Sequence, residues 1–284
     1  MMAFTKRNIL LYFRDKTSVF FSLLAVLILI ALYVLFLGDM TLKSLPDFPS
    51  KKALLMSWFI AGILSVTSVT TTLGSFGNLV EDQANKTYMD FYSSPISRVK
   101  LVGGYILSAL FIGFIMCLFT FITAEIFLFI TGEALLPFNK MLAVVGVILL
   151  AVLASASMVL LLVSFFKTSN SFAAASTVIG TLLGFVAGIY IPIGSLPDYL
   201  QTIVKLFPVS HSAALFRQLL MEAPLVDAFA NAPAEMKEAF QFDMGVFYTI
   251  NGDKTSMLFS VFYLAGTAIL FFLLSLLVMK KKSK

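Results

Sequence analysis

Glu81-Asp82-Gln83-Ala84-Asn85-Lys86-Thr87-Tyr88-Met89-Asp90-Phe91-Tyr92-Ser93-Ser94-Pro95-Ile96-Ser97-Arg98 is a polar island between two long uncharged stretches. Ala53–Val80 before it and Leu101–Ala124 after it contain no Asp, Glu, Lys or Arg. About 20 helical residues cross a hydrocarbon core, so each stretch is long enough to span. The island therefore reads as a short loop at a membrane face, with the polar and aromatic make-up of a surface that another protein grips.

Composition extends this reading along the chain. Of 284 residues, 60% are hydrophobic and 12% charged, where soluble domains carry about 25% charged residues. Such a chain cannot cover a water-facing surface, so the bilayer is its main solvent. Six spans are expected: Thr17–Gly38, Ala53–Val80, Leu101–Ala124, Met141–Phe166, Ser171–Gly194 and Ser256–Met279. The expected fold is an all-α integral membrane protein, one membrane domain over residues 1–284. It has six transmembrane helices, a helix in the island and short outer helices after the fifth span. The second span exceeds a straight crossing, so it tilts or protrudes. Thr17–Gly38 is too long for a signal-peptide core, and Leu37-Gly38-Asp39-Met40 offers no small-x-small cleavage site, so it reads as an uncleaved span.

Lys and Arg set the orientation. With the N-terminus inside, the inner segments hold 12 basic residues in 45 positions and the outer segments 8 in 91. That bias puts both termini of a multi-pass cell-membrane protein in the cytoplasm, against the dissent of Lys43, Lys51 and Lys52. The net charge of +5 belongs to this asymmetry and implies no nucleic acid partner. The tail Lys280-Lys281-Lys282-Ser283-Lys284 reads as a stop-transfer anchor that touches membrane lipid. Cys117 is the only cysteine, so no intrachain disulfide forms.

Within the island, Ala84, Tyr88 and Phe91 fall on one helical face with Tyr92 alongside, and Asp82, Lys86 and Asp90 on the other. The spacing predicts an amphipathic helix over 81–92. Ser94 and Pro95 suit the N-cap and first position of the next span. Spacing alone leaves two readings: an interfacial helix with its aromatic face in the headgroups, or a docking element for a cytoplasmic motor.

The chain lacks the signatures of its own catalysis. No G-x-x-x-x-G-K-[ST], H-E-x-x-H or G-x-S-x-G occurs, and His211, expected in a loop or outer helix, is the only histidine. No metal site is expected. The span interiors hold no ionisable residue, which weakens an ion-coupled carrier. Glu125 falls near the outer surface as an interface residue. In span two, Thr67, Thr70, Thr71 and Ser75 either satisfy their own helix backbone or line a weakly polar route. In span five, Ser176, Gly180, Gly184 and Gly188 form a four-residue stripe for close packing, within the chain or at a dimeric seam. Pro192-Ile193-Gly194-Ser195-Leu196-Pro197 ends that span. Short outer helices then follow around Tyr199–Leu206 and Ser210–Met221, roofing a cavity. The mildly acidic remainder, Pro224–Thr255, reads as a lid, a partner site or a variable surface loop.

Two sets of residues carry a resemblance. Glu81, then Ser94-Pro95-Ile96-Ser97-Arg98, then Gly103-Gly104, form the first. Pro192, Leu196-Pro197, Tyr199-Leu200, Phe207-Pro208 and Arg217 form the second. In this order the chain resembles the permease subunits of type-2 ABC exporters over nearly its whole length. Asp82 and Lys86 stand near where that family often has Arg and Gly. The resemblance implies that the island is the coupling helix, with Glu81, Asp82, Lys86, Tyr88, Phe91, Tyr92, Pro95 and Arg98 meeting an ATPase. Residues 1–16 resemble the connecting helix before span one, although Phe4 and Leu11 lie close to Arg7 and Arg14 on the helical wheel. Pro192, Pro197, Phe207, Pro208 and Arg217 fall in the family's outer gate. The implied partners are a cytoplasmic ATP-binding subunit, which holds the ATP and Mg, and a second permease subunit, identical or not. This chain itself would hold no cofactor. Its apolar interior suits an amphiphilic or lipid-like cargo such as a drug, antibiotic, peptide or lipid-linked glycan. The alternative is a non-transporting scaffold or sensor that acts through its outer segment.

Overall fold

The computed structural model of the chain describes residues 1–17, 19–20, 24, 27–28, 31, 48–87, 89, 91, 96–250 and 252–282. Most of the expected first span, Thr17–Gly38, lies outside the described residues. The elements are α1 (Met2–Arg14), α2 (Lys51–Ala84), α3 (Arg98–Ile130), α4 (Phe138–Val163), α5 (Ser169–Val186), α6 (Asp198–Leu206), α7 (Pro208–Leu220), α8 (Glu222–Ala228) and α9 (Ala234–Asp243). A two-residue hairpin, β1 (Thr249–Ile250) with β2 (Asp253–Lys254), precedes α10 (Met257–Lys282). Five of these helices, α2, α3, α4, α5 and α10, are long and apolar enough to cross a membrane.

The core is built around α2. Its 34 residues contain no proline and rise about 51 Å, more than a hydrocarbon core needs. Of its most apolar stretch 89% is buried, against 11% for α5 and 17% for α10. Helix α2 is therefore the central post, packed by α3, α4, α5 and α7, while α5 and α10 present apolar faces outward. The apolar faces of α2, α3 and α4 merge into one core that includes Leu64, Phe76, Ala109, Ile148 and Leu160. Adjacent helices run antiparallel, so the ends of α2 and α3 near the island face one side of the bundle. We call this the island end and the opposite one the far end.

At the far end the chain turns back into the bundle. Helix α5 stops at Val186, short of the Gly194 expected from hydropathy, because Gly188 adopts φ +65°. The Gly188 amide donates to the Phe185 carbonyl at 3.0 Å and the Ile189 amide to Gly184 at 2.8 Å. These paired bonds close the helix on a left-handed glycine. Ile189 then packs on α2 where a Cβ on Gly62 would lie 2.4 Å from its side chain. A short 3₁₀ turn, Ile193–Ser195, leads into α6. Phe207 is extended, and Pro208 occupies the first turn of α7, where its missing N–H leaves nothing unsatisfied.

The α6–α7 pair falls close to the two expected outer helices, but α7 is not a roof. Every residue of α7 except Gln218 is buried, and it is inserted between α2, α4 and α10. Beyond it, α8 packs on α2 and α7, and α9 on the 3₁₀ turn. Phe48, Phe229 and Phe240 cluster there with centroids 5.2–6.3 Å apart. Gly194 lets α9 approach, since a Cβ there would lie 2.5 Å from the Asp243 Cα.

Candidate functional site

At the island end, the sequence of α1 explains its docking. Phe4, Asn8 and Tyr12 recur at four-residue intervals and are all buried. Tyr12 packs on Ile112 and Met116 of α3. Phe4 sits over Gly104, where a Cβ would meet its ring at 2.6 Å. Phe4 meets Phe91 of the island and Tyr105 of α3 edge-on, each with centroids 5.0 Å apart.

Arg7 lies beside this aromatic group. Its Nη1 and Nη2 donate to Asp82 Oδ2 and Oδ1 at 2.8 and 2.9 Å, a bidentate pair. Tyr105 donates to the same Oδ2 at 2.5 Å. The Arg7 guanidinium also lies over the rings of Phe91 and Phe4, at 5.1 and 5.5 Å. The hydrogen bond to Asp82 raises the Arg7 pKa above its ordinary value, outweighing the opposing effect of burial. Four segments thus meet here: α1, the end of α2, the island and the start of α3.

The local backbone corrects two expectations. Glu81–Ala84 continue α2 instead of opening a separate helix over 81–92. Lys86 adopts φ +59°, which interrupts the helix, so Asp82 and Lys86 do not share a helical face. Asp82 is buried against Arg7, whereas Glu81 and Lys86 are exposed. Helix α3 begins at Arg98 with Ser97 as its extended N-cap, not with Ser94 and Pro95. Tyr88, Asp90, Tyr92, Ser94, Pro95 and the Arg98 side chain lie outside the described residues. Phe91 is half-buried.

The sequence marks Phe4 and Arg7 only as neighbours on a mixed helical face and gives Tyr105 no role. The four-residue spacing of Phe4, Asn8 and Tyr12 was the available signal. Arg7 interrupts the apolar face in sequence because the carboxylate it reaches lies 75 positions away.

The hydroxyls of α2 mostly serve their own backbone. Thr67 donates to Ile63 O at 2.8 Å and Thr71 to Thr67 O at 2.7 Å, both buried. The half-buried Thr70 donates to Thr67 O at 3.4 Å. Ser75 Oγ is buried without a partner among the described residues. Thr67, Thr71 and Ser75 are enclosed within this one chain, so a route lined by them is not open in this conformation. Two serines instead join helices: Ser65 donates to Val209 O of α7 at 2.7 Å, and Ser68 meets Ser155 of α4 at 2.9 Å.

The expected stripe on span five divides. Ser176 donates to the Phe172 carbonyl, and a Cβ on Gly180 would meet nothing within 4 Å. Gly184 lies under Tyr190, whose ring would be 2.1 Å from an added Cβ. Gly188 is the left-handed end of α5 and belongs to no helical stripe.

At the far end Arg217 is fully buried. Its Nη2 donates to the Ala187 and Gly188 carbonyls at 2.6 and 3.1 Å, and Nη1 to Gly245 O at 3.4 Å. Its guanidinium lies 5.3 Å from the Trp58 ring centroid. Trp58 Nε1 donates to Met244 O at 2.9 Å and Gln218 Nε2 to Val246 O at 2.8 Å. Three successive carbonyls, 244 to 246, are thus each held by a side chain of α2 or α7. Burial lowers the Arg217 pKa to about 10, which still leaves a cation at neutral pH. The carbonyl end of α5 supplies the compensating negative potential.

The other expected gate residues make no hydrogen bond to the guanidinium. Pro208 is buried, Pro192 half-buried, and Pro197 and Phe207 are exposed. His211 lies inside α7, not in a loop. It is stacked on Tyr263 at 4.0 Å, with Nε2 donating to Lys205 O at 2.9 Å and Nδ1 accepting from Ser260 Oγ at 3.2 Å. Burial pushes its pKa down to about 4, so it is neutral at physiological pH. Glu125 is buried within α3 and accepts from the Leu136 amide at 3.1 Å, bracing the α3–α4 connection. No group of three or more His, Cys, Asp or Glu side chains able to hold a metal occurs among the described residues.

A family model described as ABC-2 family transporter protein matches residues 42–277. No curated protein matches the sequence.

Proposed function

We propose that this chain, which belongs to the ABC-2 family of transporter proteins, is the membrane-spanning subunit of an ATP-driven exporter. Membership makes it a multi-pass permease component of a transport system, whose general partner is an ATP-binding subunit. In our reading the island end faces the cytoplasm and receives that subunit, which binds and hydrolyses Mg-ATP. Two permease chains, identical or not, pair in the bilayer. The exposed residues Glu81 and Lys86 meet the ATPase, and Tyr88, Phe91, Tyr92, Pro95 and Arg98 complete the docking surface.

One observation carries this reading. Helix α2 runs without a break from Trp58, at the Arg217 junction, to Asp82, beside the island. The distance between them along the helix is about 36 Å, so one rigid rod joins the receiving end to the far-end closure. Closure of the ATPase pair would move the island, and α2 would carry the displacement to α7 and the outer segment. The core around α2 is apolar with hydroxyls turned onto backbone, which suits an amphiphilic or lipid-like cargo passing along chain or subunit surfaces.

The test is affinity purification in mild detergent, wild type against the double variant Tyr88→Ala/Phe91→Ala, with ATPase activity measured on both. The wild type is expected to retain an active ATPase that the double variant loses or leaves uncoupled. A well-folded wild type that retains none would contradict the exporter and favour a scaffold or sensor.

A further inference from the structure

We propose that Arg7 is a positioning residue that locks α1 to the ATPase-receiving end, so that α1, the end of α2 and the start of α3 move as one body. This rests on the exporter reading and adds a component to its cytoplasmic machinery.

The argument starts from what holds α1 in place. Helix α1 is 13 residues long, and an isolated helix of that length is marginal in water. Its order therefore depends on its contacts. Three of its residues are buried, and only two of those, Phe4 and Tyr12, are hydrophobic. The third, Asn8, has an Nδ2 without a partner among the described residues. The fit of α1 is thus partly polar and relies on the Arg7–Asp82 pair. Asp82 has both oxygens engaged, with Arg7 on each and Tyr105 as an additional donor on one. Loss of Arg7 would leave a carboxylate that is only 7% exposed with a single phenolic donor.

Placement makes this pair more than an anchor. Asp82 lies in the last turn of α2, four residues before the left-handed Lys86. Tyr105 lies in the second turn of α3. The Arg7 guanidinium covers Phe91, in the island itself. A push on the island therefore reaches Phe4 and Arg7 through the Phe91 ring, and reaches α2 and α3 through the Asp82 carboxylate. The Arg7 side chain touches both routes, covering the Phe91 ring and pairing with the Asp82 carboxylate. Its side chain is 31% exposed, so the pair can break and re-form without moving a charge through the core.

The experiment compares wild type with Arg7→Ala, Arg7→Lys, Asp82→Asn and the swapped pair Arg7→Asp/Asp82→Arg. Each is purified with its ATPase and reconstituted in liposomes. Backbone hydrogen exchange over residues 3–14 reports α1 docking, independently of any transport activity. ATP hydrolysis and ATP-driven movement of an amphiphilic dye are measured on the same samples. Arg7→Ala and Asp82→Asn are expected to speed exchange in α1. They should lower dye moved per ATP hydrolysed by about tenfold, the scale of a typical coupling between sites, while hydrolysis continues. Arg7→Lys, a point charge without the planar fork, is expected to fall in between. The swapped pair is expected to recover part of both signals, which a purely structural defect would not do. Unchanged exchange in Arg7→Ala would overturn the inference, and so would unchanged coupling after α1 has loosened. A wild type that neither retains nor stimulates an ATPase would instead overturn the exporter reading.

Discussion

Two arginines, one at each end of the bundle, solve opposite problems. Arg7 is part-exposed and meets the buried Asp82 carboxylate, so its guanidinium can turn to water when the pair breaks. Arg217 is fully buried and meets carbonyls from the α5 end and the 244–246 segment, with no carboxylate in salt-bridge range among the described residues. An ion pair near the surface contributes little net stability and breaks readily. A buried cation held by several carbonyls and an aromatic face does not, because each carbonyl left behind loses its donor in a dry site. The island end is thus built as a joint and the far end as a fixed pin, with the continuous α2 between them.

The largest expected effect is at the pin. Arg217→Ala removes the donor to three carbonyls and opens a cavity, and should cost about 3–5 kcal/mol in detergent unfolding. A loss below about 1 kcal/mol would mean that the far end is not pinned there, and the contrast would fail. Next come Gly188→Ala and Gly245→Ala. Both positions have positive φ, and a Cβ would lie 3.2 and 2.8 Å from the Arg217 nitrogens respectively. We expect about 1–3 kcal/mol from each, with Gly245 the worse because its contact is closer.

The joint should respond differently. Arg7→Ala should cost about 1–3 kcal/mol of global stability, because the buried Asp82 keeps only its phenolic donor, while uncoupling hydrolysis from transport. A larger stability loss than Arg217→Ala would reverse the assignment of joint and pin.

A pH titration sharpens the far end further. His211 is neutral and buried, with its pKa lowered from 6.5 to about 4. Its contribution to stability is therefore complete above pH 6.5 and is lost as pH falls toward 4. The full loss amounts to about 2–3 kcal/mol, and His211→Phe should flatten that slope. Thr70→Val is the smallest case. Its hydroxyl makes only a long bond to its own helix, so the unfolding midpoint should stay within about 0.5 kcal/mol of wild type.

Much of this architecture was legible in the sequence, and the failures have physical causes. The apolar stretches Ala53–Val80, Leu101–Ala124 and Met141–Phe166 fall within α2, α3 and largely α4, although α3 runs on past Ala124 to Ile130. The prolines at 192, 197 and 208 marked the α6–α7 turn. What hydropathy could not show was depth. Ser210–Met221 reads as a short outer helix, yet its Ser210, His211, Ser212 and Arg217 are all buried, because their polar atoms meet carbonyls and hydroxyls that no local pattern reveals. The Ser176–Gly188 stripe has the right period for a seam, but period does not name the neighbour. At Gly184 that neighbour is Tyr190, a few residues along the same chain. In the island, helical spacing continued through Lys86, whereas the backbone there turns left-handed. The Arg7 contact was hidden because its carboxylate partner is distant in sequence, as are the carbonyls that Arg217 holds.

The most direct test of the central claim is to reconstitute the permease with the ATPase that purifies with it and follow hydrolysis and dye movement together, wild type against Tyr88→Ala/Phe91→Ala. The account predicts that the wild type binds the ATPase and couples hydrolysis to transport, and that the variant abolishes that coupling while its helical content is unchanged. A variant that couples as well as wild type, or a folded wild type that binds no ATPase, would contradict it.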